Sequence, residues 1–246
     1  MLHDRETPRA LRPSEQVERL RTTYEGAWGP EVLQVMVDEF PGEVALVSSF
    51  GAEAAVLLHM AAEVDRDLPV LLVDTLMLFQ ETLDYQKTLS AHLGLRNVQH
   101  IRPNPVDLAR ADPAGTLHQR DTDSCCDIRK VLPLERALEP YSVLISGRKR
   151  YQAATRAKLE VFEADGERLK VNPLAGWSAS DLRTYMDVNE LPRHPLVAQG
   201  YPSIGCAPCT TRVAPGEDPR AGRWRGTDKV ECGIHFGADG RILRAS

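Results

Sequence analysis

Five cysteines carry most of the recognisable chemistry in this 246-residue chain. Cys125 and Cys126 are adjacent, and Cys206 and Cys209 form a Cys-x-x-Cys pair. Cys232 stands alone, just ahead of Gly233, Ile234 and His235. Two pairs of soft thiolates suit a metal centre, either zinc or a 4Fe-4S cluster. Zinc ligands are usually spaced by roughly two to four residues, which adjacent cysteines fit poorly. The bland alternative is four small buried thiols and a chance Cys-x-x-Cys. The fifth thiol suits a nucleophile. Arg220, Arg223 and Lys229 precede it, and such cations depress a thiol pKa or draw in an anion. Glycines at 222, 226, 233 and 237 would let this tail close over a ligand and reopen, so a mobile tail is expected.

Each thiol pair has a local frame. Ser124-Cys-Cys-Asp127 has the form of a capping box ahead of Ile128, Val131 and Leu132. With Ser124 as N-cap, both cysteines would sit in a first helical turn whose free N–H groups favour thiolates. Lys130, four residues after Cys126, would project from the same face. On the other side, Pro208 stiffens the loop that carries Cys206 and Cys209.

The elements that must hold these groups alternate. Apolar strand-like runs at 43–49, 69–74, 98–101 and 142–147 are separated by helical patterns at about 54–64 and 79–93. Residues 1–40 read as a helical segment with Ser14 as N-cap. The alternation predicts an α/β fold: a doubly wound, mainly parallel sheet. Asp165-Gly166 between 159–162 and 168–171 signals a hairpin. Trp177-Ser178-Ala-Ser180-Asp181 starts a last helix, to about Asn189. Beyond Pro192 no periodicity persists, so an irregular C-terminal segment is expected. The divisions are 1–40, an α/β domain at 41–215, and a tail at 216–246.

Ligands on such sheets bind at the carboxyl ends of the strands. Three strands end in informative loops: Ser48-Ser49-Phe50-Gly51, Asp74-Thr75 and Ser146-Gly147-Arg148. Gly51 would let backbone approach an anion, although no Walker lysine follows. Arg148, Lys149, Arg150, Arg156 and Lys158 form a basic cluster suited to a small anion. The net charge of −5 argues against general nucleic-acid binding. No apolar run approaches a membrane span, and no signal peptide is recognisable. A cytoplasmic location is therefore expected, where disulfide scaffolds are uncommon.

Taken together, these residues resemble the assimilatory adenylyl-sulfate reductases of the phosphoadenylyl-sulfate reductase family, the iron–sulfur-containing, thioredoxin-dependent type. The resemblance rests on SSFGAE (48–53), DTLMLFQET (74–82), DSCCDIRK (123–130), SGRKRYQAATR (146–156), GCAPC (205–209), RAGRW (220–224) and ECGIH (231–235). It implies the adenine-nucleotide α-hydrolase-like fold and reduction of adenosine 5′-phosphosulfate (APS) to sulfite and AMP in sulfate assimilation and cysteine biosynthesis. Relatives acting on the 3′-phosphorylated nucleotide typically lack the four paired cysteines, which favours APS. Such a reductase, or one of dual specificity, is the alternative.

The resemblance also implies residue roles. Cys125, Cys126, Cys206 and Cys209 would ligate one 4Fe-4S cluster per chain. Cys232 would be the catalytic nucleophile, with His235 and Lys130 in support. Ser48, Ser49, Gly51, Glu53, Asp74, Thr75, Arg148, Arg150, Arg156, Arg220 and Arg223 would bind the nucleotide. A thioredoxin dithiol would release sulfite, and a homo-oligomer is expected. The chain departs from the family where Leu76-Met77 stands in place of Gly-Arg.

Overall fold

Runs of Val, Leu and Ile without polar interruption form the centre of a six-stranded sheet in the computed structural model, which describes residues 11–227, 229 and 231. The strands are β1 (Val44–Ser48), β2 (Val70–Val73), β3 (Val98–Ile101), β4 (Val143–Ser146), β5 (Phe162–Asp165) and β6 (Arg168–Val171). Their order is β3-β2-β1-β4-β6-β5. All neighbours pair in parallel except β5 with β6. Leu46 faces Val70 on one side and Ile145 on the other.

Alternation along these strands divides the apolar residues between two cores. Leu46, Val70, Leu72, Ile145 and Val171 pack with the helices α1 (Pro13–Thr23), α2 (Gly29–Glu39), α3 (Ala54–Val64) and α4 (Gln80–Leu93). Their neighbours in sequence, Ala45, Leu71, Val73 and Leu144, face the other way. There they meet Leu134 and Leu138, on and just after helix α8 (Leu132–Ala137). Between β3 and α8 lie α5 (Pro105–Ala111), α6 (Leu117–Arg120), α7 (Thr122–Cys126) and a wide π-turn over Asp127–Val131. Helix α9 (Ala179–Val188) follows the hairpin. Ser178 caps it, its Oγ accepting the Asp181 N–H at 3.2 Å.

Three local expectations are corrected. The first forty residues do not form one helix: α1 and α2 are separated at Gly26, whose φ of +82° breaks the first, and Pro30 sits in the first turn of the second. Ser14 lies inside α1, and Arg12 precedes it as N-cap. The first hairpin strand runs over Phe162–Asp165 rather than 159–162. Asp165 pairs directly with Arg168, so a two-residue loop carries the strand up to the turn.

Past α9 the described chain holds single helical turns at Val197–Gln199 and Ala207–Cys209, and isolated bridges joining Leu78 to Cys206 and Thr210 to Arg223. Among the described residues no helix is long and apolar enough to cross a membrane.

Candidate active site

The carboxyl ends of β1, β2 and β4 open into one cavity. Its floor is apolar: Leu46, Leu57, Leu58, Leu144 and Leu174. Its rim is cationic: Lys130, Arg148, Lys149, Arg156, Arg220 and Arg223. Such a combination suits a ligand with a flat apolar end and an anionic end. The loop 202–206 and Trp224 close the remaining side.

Ser48, Ser49, Gly51 and Glu53 all line this cavity. The backbone strain in their turn sits at Phe50 (φ +47°), not at Gly51. Phe50 is fully buried, and its N–H donates to Ser48 Oγ at 3.1 Å. A Cβ on Gly51 would come within 3.3 Å of Ser49 Oγ, a tight contact inside the turn itself, and at an ordinary 3.6 Å from the Ile204 carbonyl of the facing loop. Glu53 gathers three donors: Lys149 Nζ at 2.9 Å, Gln152 Nε2 at 3.0 Å and the Tyr151 hydroxyl. Burial pushes the Glu53 carboxyl up, but Lys149 and the two other donors together hold it below its ordinary value. Burial pushes the Lys149 ammonium down.

Thr75 lines the cavity; Asp74 does not. The buried Asp74 carboxylate accepts from Arg102 Nε at 2.9 Å and from the Leu76 N–H at 3.1 Å. It braces the turn in which exposed Leu76 adopts φ +59°. Thr75 Oγ1 lies 3.3 Å from Cys206 Sγ, and its carbonyl accepts from Arg129 Nη1 at 3.0 Å. Arg129 in turn pairs with buried Asp112 at 2.7 Å.

The cysteine helix differs from its expectation. Asp121, not Ser124, is the N-cap of α7: its Oδ1 accepts the Ser124 N–H at 2.9 Å and its Oδ2 the Ser124 hydroxyl at 2.6 Å. The Cys125 N–H is already bonded to the Asp121 carbonyl at 3.1 Å, so it is not one of the free first-turn donors. Burial pushes the Cys125 thiol up to about 11, and neighbouring Cys126 adds to the shift. Cys209 is also raised, by burial first and then by Cys206, with Lys130 acting the other way. Cys125, Cys126 and Cys206 are buried and Cys209 is half-buried; all four are free thiols.

The two cysteine pairs are thus near enough to oppose one another's ionisation. Among the described residues, no three side chains stand in a ready coordination cage. In donor type and burial the four thiols fit an iron–sulfur group, which takes thiolates shielded from water. The π-turn that follows α7 precedes Pro133, whose missing N–H and bulky ring disfavour a regular α-turn. It delivers Lys130 to the cavity, buried to 8% exposure.

The remaining cations divide. Arg148 lines the cavity while donating to Glu163 at 2.7 Å. Arg150 does not line it: its Nε donates to the Leu159 carbonyl at 2.7 Å, and it lies 3.7 Å from Glu160. Arg156 and Arg220 both meet Glu231, at 2.7 and 3.4 Å. Arg223 lies over the Trp224 ring at 4.4 Å and against Gly205, and its buried Nε has no partner among the described residues. Cys232 and His235 lie outside the described residues.

Sequence reasoning did not single out Gln152, Trp224, Glu231 or Arg129 as site residues. All four lie within the motifs that carry the resemblance: Trp224, Glu231 and Arg129 each adjoin a residue that was chosen, and Gln152 stands two residues from Arg150.

Comparison with known proteins follows this geometry. The sequence profile of the phosphoadenosine phosphosulfate reductase domain matches residues 43–212. A protein named adenosine 5′-phosphosulfate reductase from Mesorhizobium japonicum is 58% identical over 197 residues, 80% of this chain and 78% of that protein. One of the same name from Chelativorans sp. is 49% identical over 93% of this chain and 94% of its own. A phosphoadenylyl-sulfate reductase structure from Candida auris, a phosphate complex, superimposes with a TM-score of 0.69 at 24% identity. It covers 82% of this chain and 99% of its own, and shares the fold described above. The chain belongs to the phosphoadenosine phosphosulfate reductase family.

Proposed function

We propose that this chain reduces adenosine 5′-phosphosulfate to sulfite and AMP, with a thioredoxin dithiol as reductant. The observation that carries the reading is one cavity with an apolar floor and a cationic rim, backed by two cysteine pairs. The names of its relatives from Mesorhizobium and Chelativorans point to the same nucleotide.

In this reading the adenosine lies on the leucine floor near Ser48, Ser49 and Gly51. The phosphosulfate faces Lys130, Arg220 and Arg223; the Nε of Arg223, without a partner among the described residues, is a donor ready for an anion oxygen. The Cys232 thiolate attacks the sulfur of the phosphosulfate. A sulfur–sulfur bond forms, the bond from sulfur to the bridging oxygen breaks, and its electron pair leaves with AMP. The cations hold the charge that develops on the phosphate. One thioredoxin thiolate then attacks the Cys232 sulfur and sulfite departs with the electron pair. The second thioredoxin thiol resolves the mixed disulfide and restores Cys232. Two electrons pass from dithiol to sulfur.

Cys125, Cys126, Cys206 and Cys209 would hold a 4Fe-4S cluster. When bound, the group ties the two cysteine pairs together and adds its charge beside Lys130. The contact from Thr75 to Cys206 would pass that order to the rim.

Anaerobic protein with Cys232→Ser is expected to make no sulfite while keeping its iron–sulfur absorption. Cys209→Ser is expected to bleach it. Sulfite formation by Cys232→Ser would sink the nucleophile assignment. Initial rates with APS and with its 3′-phosphorylated form separate the two nucleotide preferences.

A further inference from the structure

Glu231 immediately precedes Cys232 and reaches across the rim of the cavity. Its two carboxylate oxygens are forked by Arg156: Nε donates to Oε1 at 2.8 Å and Nη2 to Oε2 at 2.7 Å. Thr155 Oγ1 adds a bond at 3.3 Å, and Arg220 Nη2 one at 3.4 Å. Both Arg156 and Glu231 are largely buried, with side chains 10% and 19% exposed. Two residues earlier, Lys229 pairs with Asp123 on α7. The segment is therefore tied at one point to the cysteine helix and at the next to the loop after β4.

We infer that Glu231 is a positioning residue for the sulfur-transfer step, the Arg156 fork pinning the main chain one residue ahead of Cys232 against the cavity wall. The inference rests on the reading of Cys232 as nucleophile. Its physical basis is geometric. Consecutive Cα atoms are 3.80 Å apart, so where Glu231 is held bears directly on the nucleophile of the proposed function. Two parallel charge-assisted bonds set an orientation that a single contact leaves free. Attack on sulfur needs near-contact alignment, and a misplacement of about 1 Å can cost about 100-fold. Arg156 then serves the tail rather than the phosphosulfate, which falls to Lys130, Arg220 and Arg223.

The test follows formation of S-sulfocysteine on Cys232 by mass spectrometry, with APS and without thioredoxin, beside steady-state kinetics and AMP binding. Glu231→Gln is expected to lower kcat and the rate of adduct formation by about 10- to 100-fold, with AMP affinity and KM held within about threefold. Arg156→Lys keeps the charge but loses the fork, and should fall comparably. The reversed pair Glu231→Arg with Arg156→Glu should recover part of the loss. Wild-type rates in Glu231→Gln would overturn the inference, as would a lowered KM at unchanged kcat, which marks the carboxylate as a stand-in for substrate. Should Glu231→Gln lose its melting transition, Arg156→Lys decides by the same readouts. Absence of the adduct in wild-type protein would instead refute the proposed function.

Discussion

Thr75 shows how much of the site can turn on one short side chain. Its hydroxyl meets a cysteine, its carbonyl holds Arg129, and its position on the rim faces the cavity. His194 plays a comparable part in the core. Its Nδ1 accepts the Leu196 N–H at 3.2 Å, its Nε2 lies 3.1 Å from Thr82 Oγ1, and its ring lies 4.8 Å from that of Tyr85. Burial pushes its pKa down to about 4 from 6.5, against a weaker upward pull from Glu81. Between those values the unfolded chain takes up a proton that the folded one refuses. The stability from this group is therefore complete above pH 6.5 and is lost as pH falls towards 4. Denaturant melts of His194→Gln across that window should show a flatter acid limb than wild type. An unchanged slope would assign the acid sensitivity elsewhere.

At the scale of elements, irregular segments make the site and regular ones only aim them. Arg223 lies against Gly205 because that glycine carries no side chain. A Cβ at 205 would overlap the Arg223 guanidinium. Gly205→Ala is thus expected to push Arg223 off the rim and weaken AMP binding by about 10-fold, the scale of one charge-assisted contact. Isothermal titration with AMP checks this, and unaltered affinity would show that Arg223 has room to shift without loss. The π-turn before Pro133 acts similarly, since it sets where Lys130 emerges. The hydrophobic pattern of that stretch announced a helix but not the width of its turn.

Across the whole molecule, the smaller of the two cores ties the cysteine-bearing strip to the sheet. Leu134 and Leu138 follow directly from Lys130 and are buried against Ala45, Leu71 and Leu144. Leu134 is fully buried, so Leu134→Ala should cost about 2–5 kcal/mol. The same change should loosen Cys125, Cys126 and Lys130 together. A fall in melting temperature accompanied by faster loss of iron–sulfur absorbance would bear this out. A fall without it would separate the core from the cysteine site.

The residues alone determined the parallel α/β architecture, because runs such as Val70–Val73 are apolar on both faces and only a sheet covered on two sides buries them. They also determined the strand-end loops and the motifs of the family, since these are contiguous in the chain. What only the tertiary structure decided is which charges face the cavity. Arg148 and Lys149 line it and Arg150 turns away, although the three are consecutive. Asp74 became a brace and Asp121 took the cap expected of Ser124. Irregular backbone has no period from which a side chain's direction can be read, and a charged group goes to whichever partner the fold brings near. Glu231 is the clearest case: its meeting with Arg156 joins positions 75 residues apart.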